Sequence, residues 1–396
     1  MIKIYLFFGG LMLVYGCSFT NQILENKKLD EQSLTKANSF YKGIPVTHRF
    51  NEPTDKITTY KNFEDILKQK SKQHNLNFKI SIKDIPQRFI VETVDRLLQE
   101  FPFMIENDDL KDKISILKAD FPTLPDSEIL KNSKIIEDYY YKNLDIRVVE
   151  EFIKKRLGNA NARRDKKEEP FTCLQNKRLL KVYGGSFGSY AMAVYAFYKA
   201  SDQAQIEASG VFSDLDKVDT KRDAYRHVLW SALLCRNYYT VISKYSKLDF
   251  AETIANINEK YSENQSDGRA MDSHNNAIGR KLYRQNAPNR TLFGALKGFE
   301  IPSIELLRLK AQKALNNAVY VKEGAPNLTA SKIQSGKFSC IVRNSKKEGY
   351  VWKYINGSYN NRNQMFEPDY SGYFWETHHN TVENCYKNKV VYIKKK

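Results

Sequence analysis

Two short stretches of this chain set side chains capable of chemistry at helical spacing. In Arg222-Asp223-Ala224-Tyr225-Arg226-His227-Val228-Leu229-Trp230, the residues Asp223, His227, Trp230 and, one turn on, Leu234 recur at steps of three and four, which return to one helix face. An Asp one turn before a His holds the imidazole in one tautomer and raises its basicity, which suits a general base or a metal ligand. In Met271-Asp272-Ser273-His274-Asn275-Asn276-Ala277-Ile278-Gly279-Arg280, the residues Asp272, Asn275, Asn276 and Gly279 share a second face, and His274 points nearly the opposite way. One carboxylate, two carboxamides and a glycine make a poor core stripe unless something polar meets them, and Gly279 lets a neighbouring helix or a ligand come close. With both faces turned inward, Asp223, His227, Asp272 and Asn276 converge as a candidate catalytic site in which a divalent metal is one option, leaving His274 a bystander. A hydrogen-bonded network that only sets helix register uses the same residues, as do N-terminal caps at Asp223 or Asp272, so these readings stand side by side.

Five helices must position these residues. Apolar periodicity predicts them over about Phe187 to Glu207, Thr220 to Tyr239, Asp249 to Ser262, Ala270 to Gln285 and Ser303 to Val319, with Thr220 and Asp249 as N-caps. The third carries Phe250, Ile254, Ile257 and Tyr261 as its apolar stripe, which places Glu259 on the opposite, solvent side.

The two motif helices together resemble an uncharacterised bacterial domain family of unknown function, with a DAxRHxxWxALL-type helix and an MDxHNNxxGR-type helix. The likeness covers roughly Leu179 to Arg284. The family recurs in secreted and surface proteins and near predicted toxins. The resemblance implies a folded helical domain whose polar network or ligand site draws on Glu259, Asn275, Asn276, Trp230 and Arg280. Its members usually carry Asp-Ala-His-Glu on the intervening helix. Here the corresponding residues are Asn256-Ile257-Asn258-Glu259, so the terminal acid is kept and the histidine is not, and a function resting on that histidine would be lost.

Around this domain the chain divides by composition. Residues 1–16 read as a lipoprotein signal peptide: Lys3 precedes an apolar run, shorter than the roughly 20 residues a spanning helix needs, that ends in Leu13-Val14-Tyr15-Gly16-Cys17. Cys17 is the expected lipidation site, although Tyr15 is bulkier than most such sequences carry, and two or three acyl chains anchor a protein durably. Ser18 lacks the acidic character that retains some lipoproteins at the inner membrane, which favours the outer membrane. Residues 17–59 read as a polar tether, 60–158 as a helical module in which Tyr139-Tyr140-Tyr141 serve packing, and 159–174 as a charged linker. Residues 175–330 hold the motif-bearing domain, and 335–396 a small β-rich cap pinned by Cys340 and Cys385. Cys173 and Cys235 either pair or leave Cys235 a buried thiol. The expected fold class is thus mainly α, with an N-terminal helical module, a central bundle-like domain and that cap.

Lys and Arg total 63 against 46 Asp and Glu, a net charge of +17, which suits anionic partners such as lipid headgroups or acidic glycans, or reflects a lysine-rich composition. Nucleic acid is the weakest candidate partner, since no recognised binding motif accompanies the charge and the anchor points outside the cytoplasm. Two functions follow. One is a surface or periplasmic binding or structural lipoprotein, using the aromatics Tyr350, Trp352, Tyr354, Tyr359, Tyr370, Tyr373, Phe374 and Trp375 set among cations. The other is a hydrolase acting on a lipid or phosphodiester, with His227 as base or metal ligand supported by Asp223 and Asp272.

Overall fold

A computed structural model describes residues 39–76, 80–158, 189–213, 220–241, 244–261, 266–292, 296–316, 318–322 and 391–394, with isolated residues between 176 and 184. Among these residues the chain is mainly helical. It opens on a hairpin of β1 (Ser39–Tyr41) and β2 (Ile44–Val46), paired antiparallel. The two turn residues, Lys42 and Gly43, both take positive φ, 47° and 84°, the geometry that matches the twist of a two-residue hairpin. Tyr41, Ile44 and Val46 are buried, as are Phe50 and Ile57 after them. The polar tether expected over residues 17–59 therefore overlaps packed structure from Ser39 onward; the strands there hold three residues each, too few for a period to register, and Phe50 and Ile57 stand singly among polar residues.

Helices α1 (Thr54–Thr59), α2 (Phe63–Gln73), α3 (Gln87–Leu97), α4 (Leu110–Asp120) and α5 (Asp126–Lys131) surround α6 (Ser133–Gly158). Tyr139, Tyr140 and Tyr141 on α6 are buried, and each hydroxyl is engaged. Tyr139 meets His48 Nδ1 at 2.8 Å, Tyr140 donates to Asp120 at 2.8 Å, and Tyr141 donates to the Tyr239 carbonyl at 2.9 Å. The second half comprises α7 (Tyr190–Val211), α8 (Lys221–Asn237), α9 (Lys244–Tyr261), α10 (Ser266–Asn286) and α11 (Ile304–Asn316). Helix α8 is buried on nearly every face because α7, α9, α10 and α11 all pack against it. Ser189 caps α7 by accepting from the Met192 N–H, and Ser303 caps α11 by accepting from Leu306. Helix α9 starts five residues before the predicted Asp249, so Asp249 lies within it and is not its cap.

The two halves form one compact unit from Ser39 onward. Besides the Tyr141 bond, the Met104 N–H donates to the Thr240 carbonyl, Tyr195 donates to Asp95, and Arg236 reaches Glu106 at 2.6 Å. The Ser189 hydroxyl bonds the buried Asp145 carboxyl of α6. The expected linker at 159–174 lies outside the described residues, as do residues 1–38 with Cys17, and Cys173, Cys340 and Cys385. Cys235 is a buried thiol, outside any disulfide among the described residues.

Two small sheets were not expected within the helical domain. Strands β3 (Asn289–Leu292) and β4 (Leu296–Phe299) pair antiparallel between α10 and α11. Of the expected β-rich cap over 335–396, the described residues hold one strand, β6 (Val391–Lys394), and its partner is β5 (Val319–Lys322), parallel and directly after α11. This strand thus joins a strand of the helical half.

Candidate functional site

Asp223, in the first turn of α8, and His227, one turn further, face Asp272 of α10. His227 Nε2 lies 3.5 Å from Asp223 Oδ1 and 3.2 Å from Asp272 Oδ1, and the ligand atoms of the three residues all fall within 4.8 Å of one another. All three side chains are buried. Helix α10 comes this close to α8 because of Gly279. A Cβ there would sit 2.2 Å from the Val228 carbonyl oxygen and 2.9 Å from Ser231 Cβ, so only glycine permits the crossing.

The protonation of His227 follows from its neighbours. Asn276 Nδ2 donates to Glu259 Oε1 at 3.4 Å, and Asn276 Oδ1 faces His227 Nδ1 at 3.3 Å. On the other side of the ring, Arg226 Nη2 lies 2.7 Å from Nε2, and a guanidinium only donates. Both contacts give the same tautomer, with the proton on Nδ1 and Nε2 accepting from Arg226 beside the two aspartates. Burial, reinforced by the charge of Arg226, pushes the imidazolium down to about 3, so the ring is neutral in spite of Asp223.

Glu259, expected in solvent, is fully buried. Helix α9 is covered by both α8 and α10, so its polar face meets the polar face of α10. Its carboxyl accepts from Asn258 and Asn276, both at 3.4 Å, lies 3.9 Å from His227 Nδ1, and is pushed up to about 7 by burial. Asn258, where the resemblance leads one to expect histidine, thus supports the retained acid. Trp230 packs edge-on against His227 with centroids 6.0 Å apart, its indole N–H donating to Ser201 of α7 at 3.1 Å. Asn275, His274 and Arg280 are buried on α10 outside the triad, and the charge of Arg280 acts on Asp249 of α9.

Arg226 was not singled out by the sequence. Its Nη2 bonds Asp223 at 2.5 Å as well as His227, yet about a third of its side chain stays exposed. A cavity of about 400 Å³ opens there, lined by Arg226, Trp230 and Asn258 together with residues of α7. An exposed charge three residues from an Asp reads in sequence as an ordinary surface pair; only the packing of α7 reveals the cavity.

The triad can hold a metal ion. Two ligands at about 2.1 Å in a tetrahedral shell lie about 3.4 Å apart, which matches the 3.2 and 3.5 Å from His227 Nε2 to the two aspartates, while the two aspartate oxygens lie within 4.8 Å of each other. A neutral His ligand whose other N–H is held by a hydrogen-bonded acceptor is the usual arrangement of metal-bound imidazole.

Residues 185–297 match a family described as Domain of unknown function (DUF6973), a span that contains α7 to α10 and the whole triad. No curated protein and no solved structure matches the chain. No helix among the described residues is long and apolar enough to cross a membrane.

Proposed function

We propose that this chain is an envelope lipoprotein, anchored through Cys17 with the outer membrane as its site, whose helical domain is a divalent-metal-dependent hydrolase. The observation that carries the reading is the convergence of three lone-pair donors, Asp223 Oδ1, His227 Nε2 and Asp272 Oδ1, on one buried point beside an open cavity. Acceptors turned toward one another call for a cation beside them, a place that Arg226 Nη2 fills here and that a divalent ion would fill with two charges. Three protein ligands, rather than four, is the count found in catalytic sites, and Arg226 and Trp230, which touch His227, also line the cavity. A divalent ion supplies Lewis-acid polarisation of a carbonyl or phosphoryl oxygen. The protein's own part is to fix the imidazole through Asn276 and Glu259 and to shield the aspartates from water. The aromatic and cationic C-terminal residues that suit a purely binding lipoprotein lie outside the described residues.

The test is hydrolysis of bis(4-nitrophenyl) phosphate and 4-nitrophenyl acetate by the full chain with Mn²⁺ or Zn²⁺. Turnover of either should vanish with chelator and fall more than about 100-fold in Asp272→Asn, a loss of a direct ligand rather than of a supporting residue. A second reading also has an observation behind it: Arg226 neutralises the acceptors, so the cluster can serve as a closed polar network that sets the register of α8 and α10. Metal-independent folding without turnover of either ester would favour it.

A further inference from the structure

The cavity beside Arg226 and Trp230 is partly aromatic and partly charged. Phe197 and Tyr198 of α7 and Trp230 of α8 form its apolar part, with Gln205 and Arg226 among its polar groups. Trp230 cannot swing away easily, because its indole N–H is held by Ser201 and its ring packs edge-on against Phe197 at 6.0 Å. The size, about 400 Å³, is that of a small-ligand site.

Arg226 belongs to both places. It supplies the positive charge among Asp223 and the lone pair of His227 while its side chain reaches the cavity. A divalent ion held by the triad would take over that role and repel the guanidinium toward the cavity that its side chain already lines. There its planar fork matches two oxygens of a phosphate. Asp202 also lines the cavity and disfavours a second negative charge, so a singly charged diester fits better than a doubly charged monoester.

We infer that this cavity is the substrate subsite, that Arg226 is its anion ligand, and that the substrate is a phosphodiester with an apolar or aromatic substituent seated on Trp230 and Phe197. The inference rests on the hydrolase reading and names its substrate class. Arg226 and a metal ion then compete for the triad, while Arg226 and the metal ion cooperate in holding the diester.

Two titrations of the full chain by calorimetry separate the inference from the reading beneath it, with folding checked by circular dichroism. In the first, Mn²⁺ alone is added to wild type, Arg226→Met and Arg226→Lys. Wild type binds, and Arg226→Met binds about tenfold more tightly because a competing cation is gone. In the second, diphenyl phosphate is added to the Mn²⁺-loaded proteins. Wild type binds it, Arg226→Met weakens about tenfold or more, as loss of a charge-assisted hydrogen bond does, and Arg226→Lys recovers part of the loss. Absence of Mn²⁺ binding in wild type defeats the metal-dependent reading. Normal Mn²⁺ binding with diphenyl phosphate affinity absent, or equal in wild type and Arg226→Met, overturns the subsite and leaves that reading intact; weaker Mn²⁺ binding in Arg226→Met overturns the competition. Hydrolysis of soluble bis(4-nitrophenyl) phosphate compared with phosphatidylglycerol vesicles then distinguishes a free diester from a lipid headgroup, Arg226 dependence on either one supporting the assignment.

Discussion

A neutral imidazole can carry its proton on either nitrogen, and at His227 the choice is made partly by Glu259, a residue on another helix that reaches the ring through Asn276. Removing that relay is therefore a cleaner test of preorganisation than removing a ligand. Asn276→Leu leaves Nδ1–H without its acceptor and frees the other tautomer. Mn²⁺ affinity measured by calorimetry should fall about 10- to 100-fold with the fold retained; unchanged affinity would mean the ring needs no such support. At this scale the sequence was informative wherever spacing alone decides. Asp223 with His227 and Asp272 with Asn276 are each four apart on one helix, so their shared faces can be read directly. Glu259 was not legible, since its partner face is supplied by a different helix. Arg226 was not legible because its significance lies in a cavity shaped by α7.

Between elements, the site depends on how closely α8 and α10 cross. Gly279 was recognised from sequence as a point of close approach, and the crossing bears this out. Gly279→Ala must push the helices apart, because the obstacle is the Val228 backbone oxygen and not a flexible side-chain end. The expected cost is about 1–3 kcal/mol, as for other overpacked cores, read as a lower denaturation midpoint. The same displacement separates Asp272 from His227, so Mn²⁺ affinity should fall as well. A variant as stable and as metal-competent as wild type would contradict the geometry. The long helices were legible because they carry several turns of apolar repeat. The hairpins were not, since strands of three or four residues hold too few alternations for a period to emerge.

At the scale of the molecule, two helical modules expected to be separate share an interface built from Tyr141, Met104, Tyr195 and Asp145. Composition marks a linker but says nothing about whether the segments it joins pack together, which is why this was not legible. One cooperative unfolding transition is expected, with tyrosine environment and helix content lost together; two separated transitions would argue for independent modules. Asp145 gives the interface a pH dependence. Burial pushes its carboxyl up to about 7, against the opposing pull of Lys142, Ser189 and the Ala191 N–H. The folded chain keeps a proton that the unfolded chain releases near its ordinary value of 3.8, so this contribution is full at low pH and is lost as pH rises from about 4 to about 7. Asp145→Asn keeps the site neutral, and its urea midpoint should fall less than that of wild type across that window. Equal slopes in the two proteins would remove Asp145 as the cause.

The central claim is that Asp223, His227 and Asp272 hold a metal ion. Elemental analysis of the purified full chain, beside the same analysis of His227→Ala, tests it most directly. One divalent ion per chain in wild type, lost in a variant that still folds, is the predicted result. Metal absent from wild type after loading with Mn²⁺ or Zn²⁺, or retained in full by His227→Ala, would contradict it and leave the cluster a polar network that holds two helices in register.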